Sequence, residues 1–345
     1  MSAESKPAGG DVPKPRKKKR RRLSSRLLSS RVVQVPVELF LGATRLMLVT
    51  LGPGFSYWFA RRVASLLWLF LPRLRGVTRR NLDLCLPELP LKERNRIARA
   101  SFSHAVYTFA DILLMPRFFA GERWRDYVEL APEIPEYVDW LKNGQASVTL
   151  TGHFGNWEAG LLATSRHGVS FGVVARPVQP PLLNRWILKM REFAAARVIE
   201  KAGAAREMTR ILRREKGAIA MLVDQNGGDF APIAPFFGIP ARWQADIAKL
   251  SIHSGGRLAT IFCIRQGERF RFKLVKTGLF SFDKGTEPME FMAVYGRELE
   301  EMIRKHPEQY FWMHRRFKGR PEGAKDRYSD LDRRLTAAER AELLQ

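Results

Sequence analysis

From Val32 to Leu71 the chain is almost continuously apolar, broken near its middle by Gly52, Pro53 and Gly54. The longest uncharged stretch, Leu46 to Ala60, has 15 residues, short of the roughly 20 that a straight membrane-spanning helix needs. This pattern predicts two apolar helices broken at Gly-Pro-Gly, lying in one leaflet with Arg45, Arg61 and Arg62 reaching to its surface. A buried helical hairpin is the alternative, because periodicity alone does not separate the two. Apolar residues at helical spacing, among them Ile97, Phe102, Val106, Phe109 and Leu113, predict one long amphipathic helix over 91–119, with Pro90 before it and Pro116 near its end.

After Pro135 the pattern becomes an alternation of short apolar runs and helical segments. Strands are predicted at 146–151, 170–175, 218–223 and 258–264, with more at 270–276; helices are predicted at 156–167, 181–196, 203–215 and 242–254. This order implies an α/β fold: a central mixed, largely parallel sheet flanked by helices, with an N-terminal apolar helical region. Chemistry in such sheets collects beyond the carboxyl ends of the strands, and His153 and Asp224 each follow a predicted strand. There is no internal repeat and no glycine-rich phosphate loop, which removes support for nucleotide chemistry.

Charge alters this picture more than composition does. The 345 residues, 45% of them hydrophobic, suffice for a large core, and the formal net charge is +24. Residues 1–31 hold 11 Lys or Arg against Glu4 and Asp11, a net of +9 that leaves +15 for the rest. The run "RKKKRRR" predicts a disordered basic tail over 1–31. It does not open a secretory signal, since the basic region is too long and Glu38 interrupts the apolar stretch. Such a field attracts an anionic bilayer, a phosphorylated substrate or nucleic acid. Cys85 and Cys263 form no disulfide framework and are read as core thiols in a reduced compartment.

The stretch "TLTGHFGNWEAG", Thr149 to Gly160, carries the candidate chemistry. His153 and Glu158 stand five residues apart, a spacing that means little by itself. Here, however, a strand delivers His153 to the sheet edge, Gly152 and Gly155 permit a tight turn, and Glu158 opens the next helix. Glu158 is therefore expected to fold back on the imidazole and fix its tautomer, leaving the other ring nitrogen to take a proton from a hydroxyl. The helix start would offer N–H groups to an oxyanion. "GVSFG" fits a serine-hydrolase elbow in spelling only, because the strand follows Ser170 instead of preceding it.

"TGHFGNWE" resembles the first motif of the lysophospholipid acyltransferase superfamily, and within it the bacterial lipid A biosynthesis (lauroyl/myristoyl) acyltransferases. The resemblance spans about residues 35–321 and includes "RRNLDLCLPELPLKERNRIARASFSH", "VVARPVQPPLLNRWILKMR", "VIEKAGAAREMTRILRREKGAIAMLVDQ", "PFFGIPA" and "HPEQYFWMHRRFKGRP". It implies a glycerol-3-phosphate acyltransferase-like fold and transfer of a fatty acyl chain from an acyl carrier protein or CoA thioester to a hydroxyl of a glycolipid, with neither metal nor cofactor. It assigns His153 and Glu158 to catalysis, and Arg176, Asp224, Asn156 and Gln225 to substrate binding. An ion pair for Arg176 and a turn cap for Asp224 are the bland alternatives. The implied organisation is a tail at 1–31, membrane-associated helices at 32–72, a catalytic domain at 73–321 and a charged helical tail at 322–345. Its place would be the cytoplasmic face of the inner membrane, against anionic lipids, as a monotopic protein or on a single anchor.

After "PFFGIPA" the chain departs from the pattern with Arg242, Trp243 and Gln244, a bulky group that reshapes a substrate pocket or packs on the surface. "HPEQYFWMHRRFKGRP" reads either as an acceptor-binding block near the membrane or as a terminal element with Tyr310 and Trp312 in the core while Arg315 and Arg316 stay wet, the second being the expectation. Competing readings are an acyltransferase with another phospholipid or glycolipid acceptor, a nucleic-acid-binding protein built on the basic tail, and an inactive lipid-binding scaffold.

Overall fold

The computed structural model describes residues 31–175, 181–193, 196–200, 203–319 and 326–344. The expected disorder of the tail concerns residues outside this set, apart from Arg31, and so does Arg176. Two compact units are present; one ends at Leu46 and the other begins at Met47.

The apolar N-terminal run forms helix α1 (Arg31–Phe70), whose one non-helical residue is Gly52, at φ 81°. The break falls where Gly-Pro-Gly predicts it, and the reason is visible in the hydrogen bonds. Pro53 has no N–H to give the Val49 carbonyl, and Arg117 donates to that oxygen instead at 3.0 Å. Ser56 Oγ serves the carbonyls of Leu48 and Gly52 at 3.1 and 2.8 Å. With the backbone satisfied in this way two helical stretches meet at a kink at Gly52, and Val35–Phe70 taken together is long and apolar enough to cross a bilayer by length and composition.

Helices α2 (Pro72–Cys85) and α3 (Leu91–Phe118) follow. The predicted helix over 91–119 is present at full length. Tyr57 of α1 stacks on Tyr107 of α3, with ring centroids 4.6 Å apart. The sheet then builds in the order β1 (Val128–Leu130), α4 (Glu133–Lys142), β2 (Ser147–Thr151), α5 (Trp157–Arg166), β3 (Phe171–Ala175), α6 (Pro181–Phe193), β4 (Arg197–Glu200), α7 (Ala204–Arg213) and β5 (Ala218–Leu222). A small antiparallel hairpin, β6 (Ile233–Phe236) and β7 (Ile239–Arg242), precedes α8 (Asp246–Ser254), β8 (Arg257–Arg265), β9 (Phe272–Phe280), α9 (Pro288–Lys305) and the short helix α10 (Ala337–Leu344).

The seven-stranded sheet has the order β1-β9-β8-β2-β5-β3-β4. All neighbours are parallel except β8 and β9, which agrees with the mixed, largely parallel sheet read from the sequence. Both faces are covered: one apolar core packs Leu150, Phe236, Trp243 and Tyr295, and the other packs Tyr107, Trp124, Leu162 and Phe272. Cys85 and Cys263 are buried free thiols.

The bulky departure at Arg242–Gln244 is not a surface feature. Trp243 is 1% exposed and lies in the core under the Arg316 guanidinium, 4.2 Å from the ring centre. The expectation for the 306–321 block holds for Tyr310 and Trp312, both buried, but Arg316 is buried with them. Its Nη1 donates to the Arg242 carbonyl at 2.6 Å, which ties the block to the hairpin.

The C-terminal segment is also more firmly held than a peripheral tail. Tyr328 Oη donates to Asn81 Oδ1 at 2.6 Å, and Arg80 donates to the Asp330 carbonyl at 2.7 Å. Gly76 belongs where α2 meets this segment, since a Cβ there would stand 2.7 Å from Leu331 Cβ.

Candidate active site

Strand register assembles the site. In the parallel β2–β5 pair, Thr151 lies opposite Leu222. Two residues beyond each strand end stand His153 and Asp224, so chains 71 residues apart in sequence bring these side chains together at the carboxyl edge. Asp224 Oδ1 is 2.7 Å from His153 Nδ1, and Oδ2 accepts the His153 backbone N–H at 2.9 Å. An ionised Asp224 can only accept, so this contact favours the tautomer with the proton on Nδ1 and Nε2 free to accept. The Gln225 side-chain amide lies 3.3 Å from Nε2, where a substrate hydroxyl would need to come.

Asp224 is 2% exposed. Burial alone would raise its pKa, but the charge and hydrogen bonds of His153 outweigh it and leave the carboxyl below its ordinary value. His314 closes the loop from behind: its Nε2 accepts the Asn226 backbone N–H at 3.0 Å. Burial, partly offset by Asp224, pushes His314 down to about 4, so it stays neutral.

Glu158 does not take the position expected of it. It is 3% exposed at the start of α5, and both its carboxylate oxygens go to Arg191 of α6, at 2.5 Å from Nη2 and 3.3 Å from Nε. The carboxylate on the imidazole is Asp224. The reason is geometric: register sets Asp224 beside His153, whereas Glu158 points from α5 toward the cation that α6 supplies.

Asn156, expected to bind substrate, is fully buried and holds two structural contacts. Its Oδ1 caps α5 by accepting Ala159 N–H at 3.0 Å, and its amide donates to Asp111 Oδ2 at 2.7 Å. Asp111 in turn pairs with Arg265 Nη1 at 2.6 Å, both side chains being 0% exposed, and accepts from Tyr57 Oη at 2.8 Å. The Asp111 carboxylate keeps Arg265 charged and raises its pKa in spite of burial.

The turn between β2 and α5 is pinned along its backbone. Gly155 N–H donates to the Gln309 carbonyl at 3.0 Å, Asn156 N–H to that of Cys263 at 2.9 Å, and Phe311 N–H to that of His153 at 2.9 Å. Gly155 has φ +56°, and a Cβ would fall 1.9 Å from the Cys263 carbonyl oxygen. With Gly155, Asn156 and Ala159 N–H engaged, the helix start offers fewer donors to an oxyanion than its sequence implies. Trp157 and Phe311 flank the imidazole, 5.1 and 6.1 Å between ring centres, and beside it lies a cavity of about 50 Å³ that also touches His104, Thr108 and Gln309.

Sequence spacing did not single out Asp111, Arg191, Gln309 or His104. Two signals pointed to Asp224, its place just after a predicted strand and the family resemblance, and neither set it on the imidazole.

Residues 28–319 match the family described as bacterial lipid A biosynthesis acyltransferase. Over 275 residues, 77% of this chain and 86% of its relative, the sequence is 26% identical to the lipid A biosynthesis palmitoleoyltransferase of Escherichia coli K12. It is 24% identical over 265 residues, 75% and 84% of the two chains, to the lipid A biosynthesis lauroyltransferase of the same organism. A phosphatidylinositol mannoside acyltransferase of Mycolicibacterium smegmatis is 25% identical over 194 residues, 55% of this chain and 63% of the relative. An α/β sheet that sets a polarised histidine at its edge and a match across most of the length lead to one conclusion: the chain belongs to the bacterial lipid A biosynthesis acyltransferase family.

Proposed function

We propose that this acyltransferase moves a fatty acyl chain from a thioester, carried by acyl carrier protein or CoA, to a hydroxyl of a lipid A precursor at the cytoplasmic face of the inner membrane. His153 is the general base and Asp224 its orienting partner. The single observation that carries this reading is the Nδ1 contact to Asp224 at 2.7 Å, which turns Nε2 outward as a proton acceptor.

The substrate hydroxyl displaces Gln225 from Nε2 and gives its proton to the ring as its oxygen attacks the thioester carbon. The tetrahedral oxyanion is met by N–H groups at the start of α5, with Arg176 a further donor in this scheme. The carbon–sulfur bond then breaks, and the departing thiolate takes the proton back from the imidazolium. No covalent acyl-enzyme is required. Glu158 acts through Arg191, holding a cation near the site, in place of the direct contact to His153 expected from its spacing.

The three relatives' names all contain acyltransferase or acyl-chain transfer, and two specify lipid A. The mannoside relative favours a second acceptor class, another glycolipid hydroxyl on the same machinery. Mass spectrometry of membrane lipids from cells with and without the gene separates these readings, because the lipid that lacks an acyl chain is the acceptor. Complementation with His153→Ala should restore nothing while the protein remains folded and present; restoration of the missing chain would exclude His153 as the base.

A further inference from the structure

His104 is a buried base that the mechanism above leaves without a task. It lies on α3, 8% exposed, and its Nδ1 has no hydrogen-bond partner among the described residues. An unmet buried polar atom costs about 1–3 kcal/mol, so a core with no other use for this residue is better served by an apolar one. Burial, reinforced by the Arg265 charge and by His306, pushes its pKa down to about 3, which keeps it neutral.

The residue stands between two spaces. One is the cavity of about 50 Å³ shared with His153. The other is a larger cavity of about 530 Å³, lined by Arg96, Ala100 and His104 on one face of α3 and by Gln266, Lys273 and His306 across from it. That volume lies in the range of small-molecule sites. Gln309 and His104 border both spaces.

The wall chemistry narrows the occupant. Each of the three lining Lys or Arg side chains already has a carboxylate: Arg96 with Glu93 at 2.6 Å, Lys273 with Glu129 at 2.7 Å and Arg265 with Asp111 at 2.6 Å. Glu308 adds a negative charge to the wall. A phosphate therefore finds no spare cation among the described residues there, and a plain hydrocarbon tail, though suited to the largely apolar lining, would leave His104 Nδ1 unmet. A neutral chain that both donates and accepts hydrogen bonds fits. The narrow space beside His153 admits a few heavy atoms, such as a reacting carbonyl at the end of a linear arm, and is too small for a sugar ring.

We propose that the larger cavity seats the neutral, amide-bearing arm of the acyl donor, and that the His104 imidazole hydrogen-bonds this arm where it turns in toward His153. The inference rests on the thioester reading above. It makes His104 a binding residue for the donor and leaves the acceptor to approach His153 from another side.

Saturation-transfer NMR with pantetheine, which carries the amides without phosphate or acyl chain, tests the site without turnover. The full chain in detergent should show transfer to pantetheine, and this should persist in His153→Ala. It should be lost in His104→Leu, and also in Ala100→Phe, which fills the cavity one turn away and checks the site independently of the histidine. Thermal melting of each variant shows that it is folded. In kinetics with acyl-CoA, His104→Leu should raise the donor KM about tenfold, the effect of one hydrogen bond, and leave the acceptor KM within twofold.

Absence of transfer in the native chain, equal transfer in both variants, or a shift confined to the acceptor KM would overturn the proposal. If pantetheine binds as described while no thioester supports turnover, the site stands and the donor assignment under Proposed function fails.

Discussion

In the proposed mechanism His153 acts as a base only in the tautomer that Asp224 favours. In Asp224→Asn the amide donates to Nδ1, the proton moves to Nε2, and the nitrogen facing the hydroxyl no longer accepts. The turnover number should fall about 10²- to 10⁴-fold. Glu158→Gln changes a different contact: it weakens the pairing with Arg191 and leaves the imidazole as it is, so its loss should be smaller and should be matched by Arg191→Gln. Steady-state kinetics of the three variants decide the matter, and a larger loss in Glu158→Gln than in Asp224→Asn would return the orienting role to Glu158. The motif at 149–160 was legible because a strand, two glycines and a helix start are local signals. The partner was not, because the neighbour of His153 depends on which strand pairs with β2 and in what register. A carboxylate five residues away is visible on the page, and one 71 residues away emerges only when the sheet is built.

At the scale of elements, the turn that carries His153 is braced by a buried polar cluster. Asp111 on α3 joins Arg265 at the end of β8, Tyr57 on α1 and Asn156 at the head of α5. Removing one partner from an unexposed ion pair strands a charge and costs about 3–5 kcal/mol, whereas replacing both with apolar groups of similar volume is often neutral. Asp111→Leu and Arg265→Met should each destabilise by about that amount in denaturant unfolding, and the double variant should recover more than half of it. Equal or additive losses would mean that the cluster stabilises by packing alone. Regular elements were read well where periodicity was strong, as in α3 and in β2, β3, β5 and β8, while the short edge strands β1 and β4 were missed. Helix α9, the β6–β7 hairpin and the clamp of the C-terminal segment on α2 went unread. Their stability lies in partners far along the chain, such as Trp243 beneath Arg316 and Tyr328 on Asn81, and no window of sequence contains both members of those pairs.

The whole molecule combines an apolar helix with a strongly basic surface. From Met47 on, α1 exposes Leu51, Trp58, Leu66, Leu69 and Phe70, while the chain carries a net charge of +24. Both features favour an anionic bilayer, where apolar burial and charge attraction act together. Acid acts on the fold through buried His104 and half-buried His314. His104 is held near a pKa of about 3 and His314 near about 4, against 6.5 for an ordinary imidazole. Between these values and 6.5 the unfolded chain binds protons that the folded chain does not, so stability rises with pH across this window and levels off above about pH 7. Each histidine should contribute a loss of about 2 kcal/mol on going from pH 7 to pH 5. Denaturant unfolding of the native chain at the two pH values should show these contributions, and His104→Leu should remove its share, the difference between pH 7 and pH 5 shrinking by about 2 kcal/mol. That variant also exchanges an unmet polar atom for an apolar side chain, so it should not be less stable than the native chain at pH 5. An unchanged pH difference in His104→Leu would show that the imidazole meets protons in the fold as readily as outside it, and the dry wall between the two cavities would have to be given up.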